Sequence, residues 1–225
     1  MVEMTFEQAT ARFPKIGTDE VGKGDFFGPL VVSAVFLENP GETADIRVLD
    51  SKAMSDSSIR TQAPRLMRSL KHSVVKILPT KYNQLHDRFH NINLILGWAH
   101  AQAIKNLIGE GVRPELIIID KFGPPSRVLQ HFSGSGIKDQ IHFFTRAERD
   151  KAVACASMIS RMVFLGEMAK LSDQAGFPIP LGAGPLVDQA ARRLAARIGL
   201  ENFGSFVKLH FRNFATLQKE SAVRS

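Results

Sequence analysis

Residues 16–29 read Ile-Gly-Thr-Asp-Glu-Val-Gly-Lys-Gly-Asp-Phe-Phe-Gly-Pro. Two adjacent carboxylates, Asp19 and Glu20, close a short strand-like run that begins at Lys15. A glycine-rich turn follows, and a nearly all-apolar second strand is predicted over 30–37. This pattern is typical of two antiparallel strands joined by an open loop. Acids beside a basic, glycine-rich loop suggest metal chemistry next to a phosphate.

The composition indicates a globular protein that favours polyanionic partners. Of the 225 residues, 44% are hydrophobic and 23% are charged, which allows a core without disulfide bonds. The formal net charge of +7 favours nucleic acid as a partner, although solvated lysines alone give the same balance. The single cysteine, Cys155, excludes an intrachain disulfide and a cysteine-rich zinc site, so we expect a reducing, cytoplasmic location. We expect no membrane association, because neither a signal peptide nor a run of ~20 uninterrupted apolar residues is evident.

Further strands and helices alternate along the chain. Besides the first two strands, the pattern predicts strands over 73–78, 115–120 and 140–145 and helices over 55–70, 93–109, 151–171, 186–198 and 205–217. Pro64 counts against a continuous helix over 55–70, and Thr80 is a candidate cap for a short helix. Four consecutive apolar residues, 116–119, indicate a strand buried on both faces, as in a parallel sheet.

The predicted architecture is a single α/β domain over residues 1–225. It has a five-stranded mixed sheet flanked by helices, with residues 1–13 as a short lead and a helical C-terminal third over about 176–217. The proline- and glycine-rich segment 176–185 is short enough to be an internal loop. No repeat or low-complexity tract interrupts this organisation.

Four carboxylates stand where a metal site for phosphodiester chemistry needs them. Asp19 and Glu20 end the first strand, Asp120 ends the fourth, and Glu148 follows the fifth. Asp19 and Asp120 come together if the first and fourth strands are parallel neighbours, since sites form beyond the carboxyl ends of parallel strands. Glu20 can join Asp19 only if the strand ends or bulges there, because neighbouring residues point to opposite faces. Position alone leaves other acids of similar local appearance open: Asp25, Asp50 and Asp150.

The stretch 19–29, with its Gly-Lys-Gly-Asp-Phe-Phe segment, resembles the opening motif of the type 2 ribonucleases H, and of the ribonuclease HIII branch in particular. Further matches are Asp50-Ser51-Lys52, Tyr82-Asn83, Ile119-Asp120-Lys121-Phe122, Ala147-Glu148, the run 152–161, Leu181-Gly182-Ala183-Gly184 and Lys208-Leu209-His210-Phe211. The similarity extends over roughly 14–214. Long members of this branch carry an N-terminal domain similar to the TATA-binding protein. Because only about fifteen residues precede the motif, we expect a short form without it.

The resemblance implies a ribonuclease H-like fold and hydrolysis of the RNA strand in RNA–DNA hybrids, with Mg²⁺ or Mn²⁺ as cofactor. The four acids of such a site map onto Asp19, Glu20, Asp120 and Glu148. Asp150 stays open as an alternative to Glu148, which we prefer because it stands directly in the Ala-Glu match.

Two segments are expected to bind the substrate. Gly22, Lys23 and Gly24 would approach the nucleic-acid backbone closely and contact the 2′-OH that distinguishes RNA from DNA. A tight turn that merely needs glycine is the competing interpretation. Ser51 and Lys52 are candidate phosphate contacts.

Four residues of the matched motifs stay outside the catalytic set. Lys208 has no evident role, and a histidine among apolar residues, as His210 is, packs more often than it catalyses. Tyr82 could stack on a base or pack in the core. Cys155, between two alanines, is expected to be a buried small residue.

Other functions remain open at the level of the sequence. One is cleavage at single ribonucleotides embedded in DNA, as ribonuclease HII performs it, and another is non-catalytic binding of hybrids. A general metal-dependent deoxyribonuclease is a weaker third possibility. The protein is expected to be a monomer.

Overall fold

The computed structural model describes residues 4–44 and 54–222, and these residues form a mixed five-stranded sheet flanked by helices. The strands are β1 Lys15–Val21, β2 Leu30–Leu37, β3 His72–Ile77, β4 Leu116–Asp120 and β5 Ile141–Phe144. The α-helices are α1 Phe6–Ala11, α2 Asp56–Ser69, α3 Pro79–Phe89, α4 Ile92–Gly109, α5 Ser126–Leu129, α6 Lys151–Ala175, α7 Pro185–Ile198 and α8 Arg212–Ala222. Short 3₁₀ turns lie at Pro40–Thr43, Gln130–Phe132, Gly136–Gln140, Ala147–Arg149 and Leu200–Ser205. The predicted fold class is confirmed.

The strands lie in the order β3-β2-β1-β4-β5. β1 pairs antiparallel with β2 and parallel with β4, and β4 pairs parallel with β5. The predicted antiparallel connection between the first two strands is therefore confirmed.

Two helix predictions, those that concern Pro64 and Thr80, are wrong. Helix α2 is continuous through Pro64, and its N-cap is Ser55, whose hydroxyl accepts a hydrogen bond from the Ser58 N–H. Helix α3 begins at Pro79, one residue before Thr80, so Thr80 lies inside the helix rather than capping it. Proline suits this start because the first turn of a helix does not use its N–H groups.

The predicted helix over 205–217 is also wrong, because residues 206–211 are not helical. Val207 forms an isolated antiparallel bridge with Phe27, and the Lys208 N–H donates to the carbonyl oxygen of Phe26 at 2.9 Å. These long-range hydrogen bonds replace those of a helix. The helix begins only at Arg212. Residues 206–211 before it form the strap, a segment that is hydrogen-bonded to the loop that follows β1.

Within the described residues, the chain forms two compact units. The first takes its residues from Met1–Val21, Val31–Val75 and Ile92–Met162. The second takes them from Gly22–Leu30, Lys76–Asn91 and Val163–Ser225.

The core of the first unit lies on both faces of the sheet. On one face, Ile117 and Ile119 pack with apolar residues of α4, among them Ile104. On the other face, Ile118 packs with Val153 of α6. The central strand is thus buried on both sides, as its four consecutive apolar residues predict.

Helix α6 is the longest helix in the described part of the chain. By length and composition alone it could cross a membrane, but 67% of its apolar window is buried inside the protein, as in the core helix of a globular protein. Cys155 lies on this helix with no exposed surface, and burial raises the pKa of its thiol to about 12. The predicted buried, small residue is confirmed.

Candidate active site

The parallel pairing of β1 with β4 places two carboxylates side by side. Thr18 lies opposite Ile119 in this register, so Asp19 and Asp120 come next on neighbouring strands. Side chains at equivalent positions of parallel strands point to the same face. The condition for bringing Asp19 and Asp120 together is therefore met.

Asp19 is a buried acid, with only 6% of its surface exposed. Burial raises the pKa of its carboxyl group to about 7, and the negative charges of Glu20 and Asp120 add to this rise. Hydrogen bonds from the Ser157 side chain and the Glu20 N–H act in the opposite direction. The site therefore concentrates negative charge where little water reaches it, which is an environment that a bound cation would stabilise.

Helix α6 supports Asp19 from one face of the sheet. Besides the Ser157 contact, the Ser160 hydroxyl donates to the main-chain carbonyl of Asp19 at 3.2 Å. The same hydroxyl lies 2.8 Å from Oγ of Ser33 on β2. Both serines of α6 belong to the matched run 152–161, which has no charged residue before its last position.

A buried histidine holds Glu20 from the other face. Nε2 of His100, on α4, lies 3.3 Å from Oε2 of Glu20, and Nδ1 lies 2.8 Å from the Thr18 hydroxyl. The imidazole ring therefore bridges the Glu20 carboxylate and the Thr18 hydroxyl through its two nitrogens. The ring also stacks on Phe122 with 4.7 Å between centroids. Glu20 is thus fixed through a residue that sequence reasoning missed, because a histidine on an apolar helix face gives no distinctive signal.

Of the two conditions set for Glu20 to join Asp19, a bulge is absent from this segment, and the strand ends one residue after Glu20, at Val21. β1 pairs one-to-one with β2 from Lys15 to Val21, and Glu20 lies opposite Val32. Consequently Glu20 leaves the sheet on the α4 face and Asp19 on the α6 face. The two acids interact electrostatically without a change in strand register.

Glu148 and its alternative, Asp150, lie in different surroundings. The Ala147 N–H donates to Oδ1 of Asp120 at 2.9 Å, and Glu148 is the next residue, with a partly exposed side chain. Asp150 is 1% exposed and forms an ion pair with Lys15, which is equally buried.

Asp150 also caps helix α6. Its Oδ1 accepts from the N–H groups of Ala152 at 2.8 Å and Val153 at 3.3 Å, while its Oδ2 faces Lys15. Both oxygens of this carboxylate are therefore engaged in the fold, whereas Glu148 lies beside a partner of Asp120.

The loop after β1 belongs to the second unit. Gly22 has φ = 97°, and a Cβ atom there would lie 2.1 Å from the carbonyl oxygen of Pro29, so this turn requires glycine. Gly24 is exposed with open space around its Cα, and Lys23 is partly exposed. The structural need for glycine thus applies to Gly22 but not to Gly24.

Two further predictions concern residues of the second unit. Tyr82 has no exposed surface, so it packs in the core and is not available to stack on a base. His210 is exposed and stacks on His86 with 4.2 Å between ring centroids, so its interpretation as a packed core residue is wrong. Ser51 and Lys52 lie outside the described residues.

The donors present suit a hard divalent cation. Within residues 4–44 and 54–222, no three His, Cys, Asp or Glu side chains stand close enough together to hold a metal ion. Mg²⁺ commonly takes only one or two carboxylates and completes its shell with water and substrate phosphate. The pair Asp19 and Asp120 meets that requirement: the parallel register places them at equivalent positions of neighbouring strands, and the negative charge of Asp120 adds to the rise that burial gives the pKa of Asp19.

A mixed sheet in this order, with an acid at the ends of two adjacent parallel strands, defines a protein of the ribonuclease H-like fold. The sequence model described as Ribonuclease HII matches residues 16–214. The chain therefore belongs to the ribonuclease HII family.

Individual relatives carry the name Ribonuclease HIII. The protein from Bacillus licheniformis is 39% identical over 204 residues, which are 88% of this chain and 65% of that protein. The protein from Bacillus subtilis is 38% identical over 210 residues, or 91% of this chain and 67% of that protein. The crystal structure of Bst-RNase HIII in complex with Mn²⁺ is 33% identical, with a TM-score of 0.87 over 95% of this chain and 71% of that one.

These similarities confirm the resemblance to type 2 ribonucleases H of the ribonuclease HIII branch. The chain spans about 65% of the length of the first of these relatives.

Proposed function

We propose that this protein is a metal-dependent endoribonuclease that hydrolyses the RNA strand of RNA–DNA hybrids. The observation that carries the proposal is the parallel register that sets Asp19 beside Asp120 in a chain of the ribonuclease HII family. The relatives named Ribonuclease HIII support the substrate class, and the Mn²⁺ complex of one of them supports the cofactor class. Water rather than the neighbouring 2′-OH is the attacking group, so the products carry 5′-phosphate and 3′-hydroxyl ends.

The four acids have two roles in this proposal. Asp19 and Asp120 hold Mg²⁺ or Mn²⁺, and Glu20 and Glu148 complete the metal shells directly or through water. When bound, two such ions activate the attacking water and stabilise the departing 3′ oxygen. The fold contributes orientation, because Ser157 holds Asp19 on one face of the sheet and His100 holds Glu20 on the other.

The substrate is bound by main-chain groups and positive charge. Gly22, Lys23 and Gly24 offer amide donors and a cation to the nucleic-acid backbone, and Ser51 and Lys52 contact a phosphate. The net charge of +7 favours such a partner, and binding should weaken with salt as counterions are released.

Cleavage of a 5′-labelled RNA strand annealed to DNA tests the proposal. The wild-type chain should cut this hybrid only when Mg²⁺ or Mn²⁺ is added. Asp120→Asn should bind the hybrid with unchanged affinity but lose kcat by about a thousandfold or more. Asp139→Asn removes an exposed acid of the same unit and serves as the matched control, with wild-type turnover expected. In the same assay Glu148→Gln should lose turnover, whereas Asp150→Asn should keep it per folded molecule. Wild-type turnover by Asp120→Asn would contradict the assignment.

A second candidate activity has support from the family model, which is that of ribonuclease HII. This activity is cleavage at a single ribonucleotide embedded in DNA. A duplex with one ribonucleotide discriminates between the two activities, since stronger cleavage there than in an all-RNA strand favours the second. Binding without metal-dependent cleavage would indicate a hybrid-binding protein instead. A single catalytic domain, a monomeric state and a cytoplasmic location also remain predictions.

A further inference from the structure

We infer that Lys208 is a positioning residue, whose buried ammonium group holds the loop Gly22–Gly28 in the conformation that binds the substrate. The inference rests on the proposed role of Gly22–Gly24 as a substrate-binding segment. Lys208 lies 180 residues beyond the end of this loop in sequence, in the strap that interrupts the predicted C-terminal helix.

Lys208 holds the loop mainly through hydrogen bonds to the carbonyl oxygens of the loop. Its Nζ donates to the carbonyl of Asp25 at 2.7 Å and to that of Gly28 at 2.8 Å. Its main-chain N–H donates to the carbonyl of Phe26 at 2.9 Å. One residue therefore binds three of the four carbonyls between positions 25 and 28. Such a set of contacts fixes the direction of each peptide plane.

Two neighbouring segments complete this attachment. The Gly28 N–H donates to the carbonyl of Phe206 at 2.9 Å, and the Phe26 N–H donates to that of Gly182 at 2.9 Å. The Gly182 N–H in turn donates to Oδ1 of Asp25 at 2.6 Å. Hydrogen bonds to Phe206 and Lys208 on one side and to Gly182 on the other thus hold residues 25–28 in place.

The attachment leaves one end of the loop accessible. Phe26 and Phe27 have no exposed surface, and their rings pack edge to face with 5.0 Å between centroids. Gly24, by contrast, is exposed, and Lys23 is partly so. The buried residues Phe26 and Phe27 therefore fix the position of the more exposed Lys23 and Gly24, which are proposed to contact the nucleic acid.

Packing alone does not require an ammonium group at position 208. The side chain has no exposed surface, and burial lowers the pKa of the ammonium to about 7, although the nearby Asp25 charge acts in the opposite direction. Methionine would fill a similar volume without this desolvation. The lysine differs from methionine in its hydrogen bonds to the loop, so those bonds are what it contributes.

The substitution Lys208→Met tests the inference through two readouts. With the labelled hybrid as substrate, KM should rise about tenfold while kcat stays within about twofold of wild type, because binding and not chemistry is affected. In limited proteolysis, trypsin should cut the Lys23–Gly24 bond about fivefold faster or more, as followed by mass spectrometry of the fragments. The melting temperature should stay within about 4 °C of wild type, since an unfavourably buried amine is removed.

Two further variants keep the result interpretable. Lys219→Met removes an exposed lysine of α8 in the same unit and should match wild type in both readouts, which controls for the loss of one positive charge. Asp25→Ala removes the acceptor of the Gly182 N–H from a partly exposed side chain, and it should raise KM and trypsin cleavage in the same direction. It decides the question if Lys208→Met does not fold.

The outcomes separate this inference from the proposed function. A wild-type chain that leaves the hybrid intact would contradict the proposed function. Wild-type KM in Lys208→Met and Asp25→Ala, or a loss of kcat with KM unchanged, would overturn the positioning role alone. Faster tryptic cleavage without a change in KM would also overturn it, because the loop would then be free without consequence for the substrate.

Discussion

Among the residues that the structure describes, two lysines are almost fully buried, one in each compact unit, and their surroundings differ. Lys15 on β1 is 1% exposed and forms an ion pair with Asp150, with a further hydrogen bond to the Thr10 carbonyl at 2.8 Å. Lys208 has no exposed surface, and its Nζ meets the main-chain carbonyls of Asp25 and Gly28. Lys15 therefore bonds directly to a carboxylate, whereas Lys208 bonds to main-chain carbonyls, with the charge of Asp25 nearby.

The difference shows what each lysine does. Lys15 ties β1 to the residue that caps α6, which fixes the strand carrying Asp19 against the helix that supports it. Burial lowers the pKa of the Lys208 ammonium, and the nearby charge of Asp25 offsets this lowering only in part. The hydrogen bonds of Lys208 go to a loop rather than to a second element of the core. Lys15 thus joins a strand to a helix of the core, whereas Lys208 fixes a loop.

The largest expected effect on stability comes from removing the counter-charge of Lys15. Asp150→Ala leaves a buried cation without its partner and α6 without its cap, so the free energy of unfolding should fall by about 3–5 kcal/mol. Urea unfolding followed by circular dichroism measures this change. Asp139→Ala, at an exposed acid of the same unit, should change it by less than about 0.5 kcal/mol. Equal losses of unfolding free energy in Asp150→Ala and Asp139→Ala would contradict the role given to the ion pair between Lys15 and Asp150.

The second effect is a pH dependence specific to Lys208. Its pKa falls from an ordinary 10.5 to about 7 in the folded chain, so between these pH values the unfolded state holds a proton that the folded state has released. Stability should therefore rise with pH in this window. The gap in unfolding free energy between wild type and Lys208→Met should shift in favour of wild type by about 3–4 kcal/mol from pH 7 to 10. Parallel curves for the two proteins would show that the amine is not perturbed.

The smallest expected effect comes from removing both charges of the first pair. Lys15→Met combined with Asp150→Ser abolishes the ion pair but keeps a side-chain oxygen that can cap α6. Buried ion pairs often exchange for uncharged residues at little net cost, so this double variant should unfold within about 1.5 kcal/mol of wild type. A loss as large as that of Asp150→Ala would mean that the cation itself stabilises the core.

The sheet and most of its helices could be predicted because their signals are local. The apolar run 116–119 indicates a buried strand wherever it stands, and the observed β4 agrees. The helix predicted over 205–217 failed because Val207 and Lys208 bond to residues near position 27. Periodicity within a segment carries no information about a partner 180 residues away.

The candidate site shows the same division. The meeting of Asp19 with Asp120 follows from acids at strand ends and a parallel register, both of which can be expected from the sequence. The support of Glu20 by His100 could not be foreseen, because it depends on which face of α4 meets the sheet. The same holds for Asp150, whose role as a partner of Lys15 joins residues 135 positions apart.

The close packing of β1 on α6 has a consequence for how the position of Asp19 is maintained. At Gly17 a Cβ atom would lie 2.2 Å from the main-chain nitrogen of Val153, so strand and helix meet there as two bare backbones. Asp19 stands two residues further on the same face of the strand. A single methyl group at position 17 would therefore push β1 away from α6 and displace Asp19. The distance between the Asp19 carboxylate and helix α6 therefore depends on the absence of a side chain at Gly17.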